Sequence, residues 1–365
     1  MKRRAFLAGA AVAGATAVST LPRPAIAQGK VEWRMVTAWP KGLPGLGTGA
    51  ERLAKRIGDL SDGRLTVKVY AAGELVPALQ CFDAVSGGTA ELGHDSAYYH
   101  IGKSKAAPFF STVPFGLTAT EHNAWIGFGG GQELWDELYA PFNIKPFLAG
   151  NTGVQMGGWY RKEINSVEDF KGLKFRMPGQ GGEVLKKLGA NIVLLPAGEI
   201  FAALQSGTID GTEWVGPYND LALGLYKVAS NYYFPGFHEP GTAFELIVNK
   251  QKFDALPADL KAIVQAAAQV ENEQMLAELN ARNGTALETL ITTHNVKLRQ
   301  FSREVLTAFG NAAGEVIQEL LDSSDPTTKK IAQAFVKARA NLMEWTKIGE
   351  QAYTNARVLK FKYPQ

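Results

Sequence analysis

Arg176 stands where a side chain can hold an anion. It ends the short extended run Leu173-Lys174-Phe175-Arg176-Met177 and comes just before the glycine-rich stretch 178–182. With Phe175 and Met177 facing the other way, its guanidinium can make two parallel hydrogen bonds to a carboxylate, which lysine cannot copy. The competing use is a structural ion pair. Tyr98 and Tyr99 follow His94-Asp95-Ser96-Ala97 at a strand-to-loop junction. A hydroxyl there can donate to an oxygen of a bound acid while the ring walls the pocket, although one of the pair can equally be plain core. Glu213 and Glu239 can be ordinary salt-bridged acids, or one can act as general base in an enzyme working on a carboxylate.

The familiar enzyme signatures fail on inspection. Gly127-Phe128-Gly129-Gly130-Gly131-Gln132 and Gly179-Gln180-Gly181-Gly182 both lack the third glycine of the dinucleotide fingerprint. The chain has no phosphate-binding loop, no H-E-x-x-H and no G-x-S-x-G. Its five histidines (94, 100, 122, 238, 294) are scattered without metal-ligand spacing, and His238 reads as packed or solvent-bonded. The single cysteine, Cys81, rules out an intramolecular disulfide and reads as a small apolar core residue on a helix.

The elements that must position these groups alternate. A strand over 32–37 is followed by a helix with Ala50, Leu53, Ala54, Ile57 and Leu60 on one face. Asp62-Gly63 turns the chain into the alternating Leu65, Val67 and Val69, then Leu79, Phe82 and Val85 mark a helix that Gly87-Gly88 ends. Residues 91–94 are extended. A second unit puts a strand at 174–177, a loop at 178–182, a helix at 183–188, a strand at 192–195 and a helix at 199–205. Two such α/β units imply mainly parallel sheets in two lobes, a hinge between them, and a ligand cleft at the carboxyl ends of the strands. From Pro257 the pattern is almost wholly helical. Ile331, Phe335, Ala338, Leu342, Trp345 and Ala352 form a heptad-like seam that skips Gly349 and fits either packing on its own chain or a homodimer.

The first residues are an export signal. Lys2, Arg3 and Arg4 precede an Ala/Gly-rich apolar stretch over 6–21, and Ala25-Ile26-Ala27 supplies a cleavage pattern before Gln28. Arg3-Arg4-Ala5-Phe6-Leu7 resembles the twin-arginine signal. The formal charge is +3, and residues 1–27 hold four basic groups and no acid, so the mature chain carries 3 − 4 = −1. That balance argues against nucleic acid or an anionic membrane as partner. Beyond the signal no apolar run is long enough to span a bilayer, so direct membrane insertion is not expected.

Three stretches carry a family resemblance: Asn151-Thr152-Gly153-Val154-Gln155-Met156-Gly157-Gly158-Trp159, then Leu173-Lys174-Phe175-Arg176-Met177, then residues 203–217 with Thr212-Glu213-Trp214-Val215-Gly216-Pro217. Together they resemble the DctP-type solute-binding subunits of TRAP (tripartite ATP-independent periplasmic) transporters, closest to the branch that binds α-keto acids, over essentially the whole mature chain. The resemblance implies a two-lobed periplasmic binding fold with long C-terminal helices. Its expected divisions are signal 1–27, lobe I 28–150, lobe II 151–250, and C-terminal helices 251–365 with a dimerisation helix at 327–356. It makes Arg176 the carboxylate anchor and implies a cation, Na⁺ or Ca²⁺, held by Gln155, Glu213, the Trp214 carbonyl and Glu239. Substrate contacts fall on Gln155, Arg176, Tyr98, Tyr99 and Trp214. Phe237-His238-Glu239-Pro240 departs from the branch, where bulky aromatics precede the glutamate. The implied function is capture of a small 2-oxo or 2-hydroxy monocarboxylate in the periplasm for TRAP permease subunits, without catalysis. A periplasmic enzyme or a ligand-sensing subunit would be the rivals.

Overall fold

The computed structural model describes residues 29–363, so the export signal expected over 1–27 lies outside the described residues. Eleven strands occur among these residues. The first four are β1 (Val31–Thr37), β2 (Leu65–Tyr70), β3 (Leu92–Asp95) and β4 (Ile144–Asn151). Then come β5 (Gly158–Tyr160), β6 (Lys174–Arg176), β7 (Asn191–Val193), β8 (Gly211–Thr212), β9 (Asn231–Phe234), β10 (Ala243–Asn249) and β11 (Lys297–Gln300). They form two sheets, ordered β2-β1-β3-β10-β4 and β11-β9-β5-β8-β6-β7.

The two-sheet α/β architecture agrees with the sequence pattern, with one refinement: both sheets are mixed. β1 runs parallel to β2 and β3, and β6 parallel to β7 and β8. β10 is antiparallel to both β3 and β4, and β5 is antiparallel to β8 and β9. The antiparallel members arise where the chain passes from one sheet to the other. It leaves the first sheet after β4 and enters the second at β5, then leaves β9 and returns as β10. The 151–250 stretch therefore gives β10 to the first sheet, and the 251–365 stretch gives β11 to the second.

The two crossing segments, 152–157 and 235–242, run side by side and are bonded together. Thr152 N donates to Thr242 O at 3.0 Å, Gln155 N to Glu239 O at 3.1 Å, and Gly236 N to Gln155 O at 3.0 Å. Their approach is so close that a Cβ at position 236 would stand 2.4 Å from Gln155 O, which only glycine avoids.

Each sheet has its own apolar layer. In the first, Leu53, Ala54 and Ile57 of the helix Leu46–Leu60 pack with Met35, Leu65, Leu92 and Leu246. In the second, Phe175, Val184, Tyr233 and Phe309 do the same. A third cluster, with Trp39, Trp159, Trp214, Tyr232, Met275 and Leu279, joins the two. The 35-residue helix Ala258–Thr292 is about 50 Å long at 1.5 Å per residue and lies along β4 and the helix Pro217–Leu223. Its buried Glu271 is bracketed by Arg52 at 2.6 Å and Arg56 at 3.1 Å, so that a charge without water still has partners. No helix among the described residues is long and apolar enough to cross a membrane.

The C-terminal seam divides. Ile331 and Phe335 are buried on the chain's own core, whereas Trp345 is 68% exposed. The helix Pro326–Ile348 stops at Gly349, and a separate helix, Glu350–Arg357, follows.

Candidate functional site

Gln155, Arg176, Glu213, Trp214 and Glu239, together with Tyr98, converge where the two crossing segments meet the carboxyl end of β6, and all six are buried. Tyr99, beside them, is half-buried. Arg176 is the last residue of β6 and Glu213 follows β8 in the next strand, so the ladder that pairs Arg176 with Thr212 sets the two side by side. Arg176 Nη1 bonds to Glu213 Oε1, and Nε donates to Leu195 O at 3.0 Å. The guanidinium also lies 5.2 Å from the centre of the Trp214 ring, within cation–π range. Its Nη2 has no partner among the described residues. The structural ion pair is therefore present, and Nη2 is left without a hydrogen-bond partner.

Gln155 and Glu239 come one from each crossing segment. Thr242 links them: its hydroxyl donates to Glu239 Oε2 and accepts from Gln155 Nε2 at 3.2 Å. Gln155 Nε2 also reaches Thr152 Oγ1 at 3.2 Å, which spends both amide hydrogens and turns Oε1 inward without a partner. Glu213 Oε2 likewise has no hydrogen-bond partner. Burial and then the negative Glu213 push the Glu239 carboxyl well above the usual carboxylate range. A cation would relieve that repulsion, and the inward oxygens of Gln155, Glu213 and Glu239 are the hard donors such an ion takes. The residues present thus fit a bound cation.

Tyr98 and Tyr99 lie on the short helical turn Ala97–His100 and pack edge to face at 4.7 Å. Burial raises both phenols, Tyr99 to about 12, with Arg176 and a hydrogen bond from Tyr98 pulling Tyr99 back. Both therefore keep their hydrogens at neutral pH. Trp214 is fixed from below, its Nε1 donating to Asn219 Oδ1 at 2.6 Å.

Sequence reasoning missed four residues. Asp220 holds the loop after Glu213, accepting from Val215 N and Gly216 N at 3.1 Å, from Trp159 Nε1 at 2.9 Å and from Tyr232 OH at 2.7 Å. Burial raises it to about 7 despite these donors. Thr152 and Thr242 bond across segments 90 residues apart, and no linear pattern announces them. His238, expected to be packed or solvent-bonded, is buried and packed on Phe237 and also puts Nε2 3.4 Å from Glu213 Oε2; the adjacent acid was the available signal. The remaining histidines stay away. His94 bridges Trp39 Nε1 (2.7 Å) and Ala149 O (3.0 Å), His122 meets Phe109 O at 3.3 Å, and His294 stacks on Tyr226. The histidines are scattered in the fold as in the sequence, but His238 lies with Glu213 and Glu239, and His100 with Asp95 and Glu245.

The model of the family described as DctP, bacterial extracellular solute-binding protein, family 7, matches residues 36–324. A monocarboxylate 2-oxoacid-binding periplasmic protein of Nostoc sp. is 44% identical over 97% of this chain and 98% of its own. A TRAP transporter solute-binding protein of Bordetella bronchiseptica, a mixed-occupancy dimer with copurified calcium and picolinate in its active site, is 42% identical with a TM-score of 0.88, covering 90% of this chain and 97% of that one. A TRAP periplasmic solute-binding protein of Pseudoalteromonas atlantica with bound sodium and pyruvate is 41% identical with a TM-score of 0.87, covering 91% and 100%.

Proposed function

The chain belongs to the bacterial extracellular solute-binding protein family 7, and on that premise we propose that it captures a small 2-oxo or 2-hydroxy monocarboxylate in the periplasm and hands it to the membrane permease of a TRAP transporter. The observation that carries this reading is the set of three buried atoms without a hydrogen-bond partner: Gln155 Oε1, Arg176 Nη2 and Glu213 Oε2. A cationic donor beside neutral and anionic acceptors matches an acid whose carboxylate meets an arginine and whose second oxygen meets a cation.

Arg176 anchors the carboxylate through Nη2. Gln155, Glu213, the Trp214 carbonyl and Glu239 would hold the cation, whose positive charge would screen the two glutamates from the anionic ligand. The ligands of the relatives, pyruvate with sodium and picolinate with calcium, have this pairing of a carboxylate with a neighbouring donor atom. The Tyr99 phenol, raised by burial to about 12, keeps its hydrogen for the acid. Because these groups are buried on all sides, solute enters when the two lobes part about the crossing segments 152–157 and 235–242. The ligand leaves unchanged, since the proposed role is capture. The exposed Trp345, Ile348 and Tyr353 give a second copy an apolar stripe to cover.

The test is a thermal-shift and calorimetric screen of the mature protein against small carboxylates, with and without Na⁺ or Ca²⁺. A cation-dependent rise in melting temperature with pyruvate or lactate is expected, because a ligand that binds only the folded state stabilises it by mass action. Shifts confined to dicarboxylates, sugars or amino acids would overturn the ligand class. Equal affinity without cations would remove the bridge.

A further inference from the structure

One seam that closes the buried pocket lies between elements of the two sheets. The turn Ala97–His100 follows β3 of the first sheet, and the helix Gly179–Lys187 follows β6 of the second. They meet so tightly that a Cβ at Gly179 would stand 2.9 Å from Tyr98 Cβ. The residues that come next on each element line a separate cavity of about 670 Å³: Ile101, Gly102 and Lys105 on one wall, Gln180 and Glu183 on the other, with Leu320 closing it. Neither Arg176, Tyr98 nor the crossing segments line it. Gln180 is 3% exposed, and neither Oε1 nor Nε2 of its amide has a hydrogen-bond partner among the described residues. Buried polar groups are rarely left so, and here a donor and an acceptor are both unspent. The charges around it differ in what they have left. Glu183 is paired with Lys186 at 2.8 Å, and Glu319 with Lys187 at 2.6 Å. Lys105 is exposed and has no ion pair among the described residues. The cavity therefore offers an anion a free ammonium and a free amide, while both carboxylates in its walls are taken.

We propose that this cavity is an outer, transient binding site for the carboxylate solute, in which Lys105 draws the anion and the Gln180 amide holds it until the seam opens. The inference rests on the carboxylate-capture reading above and adds the route by which the solute reaches Arg176. Parting of the lobes about the crossing segments separates Tyr98 from Gly179, and the cavity and the pocket become continuous. Solute passes the outer site in both directions, so the site speeds entry and exit alike. An exposed lysine at the mouth adds long-range attraction, which raises the association rate and is screened by salt.

The experiment is stopped-flow tryptophan fluorescence of the mature protein with pyruvate, in buffer containing Na⁺ and Ca²⁺, which reads both rate constants. Lys105→Glu is expected to lower the association rate constant by about threefold or more at low salt and to flatten its dependence on ionic strength. Gln180→Leu should lower the association and dissociation rate constants together, each by about threefold or more, because a hydrogen bond to the passing anion is lost. Lys105 is exposed, so its variant decides the matter even if Gln180→Leu does not fold. An association rate and salt dependence unchanged in Lys105→Glu would overturn the proposal. So would a Gln180→Leu variant that alters the dissociation rate alone, which would put Gln180 against the fully bound acid. If the wild type binds no pyruvate or lactate, the capture reading fails and this inference with it. If it binds normally with rates indifferent to both positions, only the outer site fails.

Discussion

Two buried clusters in this molecule share one chemical inventory, a histidine and two carboxylates, yet they are built on different supports. In the cleft, Glu213, His238 and Glu239 come from the end of β8 and from a segment that crosses between sheets. In the first sheet, His100 Nε2 lies 3.2 Å from both Asp95 Oδ2 and Glu245 Oε1. Asp95 and Glu245 sit directly opposite each other on the antiparallel pair β3 and β10. Like charges facing across a ladder repel, and a cation between them removes the repulsion. Burial opposes a charge on His100, but Asp95 and Glu245 outweigh it and hold the imidazole up to about 9. The sheet cluster therefore contains its own counter-ion and rests on a paired ladder. The cleft cluster has Arg176 for one carboxylate. Side-chain type alone does not tell the two clusters apart, and neither do unspent atoms, since Asp95, His100 and Glu245 also bury atoms without hydrogen-bond partners; what differs is the support, a paired ladder in one and a segment that crosses between sheets in the other.

Substitutions should separate the two. The largest effect is expected for His100→Ala, which leaves two facing buried carboxylates without their cation and should cost about 3–5 kcal/mol of stability. Urea unfolding of the mature protein checks it, and the comparison breaks if stability holds while pyruvate affinity collapses. Arg176→Ala is next. Losing a charged donor to the ligand should weaken carboxylate binding by about 1.5–3 kcal/mol, at least tenfold in dissociation constant. Calorimetry with pyruvate reads this directly, and unchanged affinity would return Arg176 to a purely structural ion pair.

The sheet cluster also makes a pH prediction. His100 is raised from 6.5 to about 9, so its contribution is complete below about 6.5 and is lost as pH rises through 9. Burial raises the Glu245 carboxyl to about 8, so the folded state again holds the proton longer and stability again falls with rising pH. Cys81, pushed up by burial and by the two acids, and Tyr139, raised likewise, remain neutral across this window. Between pH 6.5 and 9 the protein should lose at least about 1.4 kcal/mol, the worth of one pKa unit. A melting temperature flat over that interval would mean that the cluster is not charged as described.

Much of the site was legible because its parts sit in compact motifs: Arg176 at a strand end, Glu213-Trp214 after β8, and Gln155 within a recognisable run. What stayed hidden depends on contacts between distant segments. Thr242 matters through Gln155 and Glu239, and Asp220 through four donors that meet only in the fold. The fold reading failed locally for similar reasons. Residues 179–182, expected as a loop because of their glycines, open the helix Gly179–Lys187; a Cβ at Gly182 would come within 2.7 Å of Met177 O, so packing overrides helix propensity there. β11 went unseen in the helical C-terminal region because it is an exposed edge strand with a single apolar residue, Leu298. β10 is buried along its whole length, so its residues, Glu245 among them, show no polar–apolar alternation to mark it.

The finest test is a matched pair of tyrosines. Tyr99 borders the cleft with a hydroxyl hydrogen to give, and Tyr139 OH donates to Glu245 Oε1 at 3.5 Å in the sheet cluster. Each Tyr→Phe change removes one hydroxyl at nearly constant volume, so each should cost about 0.5–1.5 kcal/mol, with Tyr139 at the low end because its bond is long. The sign of the comparison lies in where the loss falls. Tyr99→Phe should lower pyruvate affinity and leave urea stability nearly unchanged, while Tyr139→Phe should lower stability and spare affinity. If both variants lose stability alone, Tyr99 is core and the oxygen at C2 finds its donor elsewhere. If both lose affinity, the two clusters are coupled through the turn Ala97–His100, which carries Tyr99 and His100 on adjacent residues.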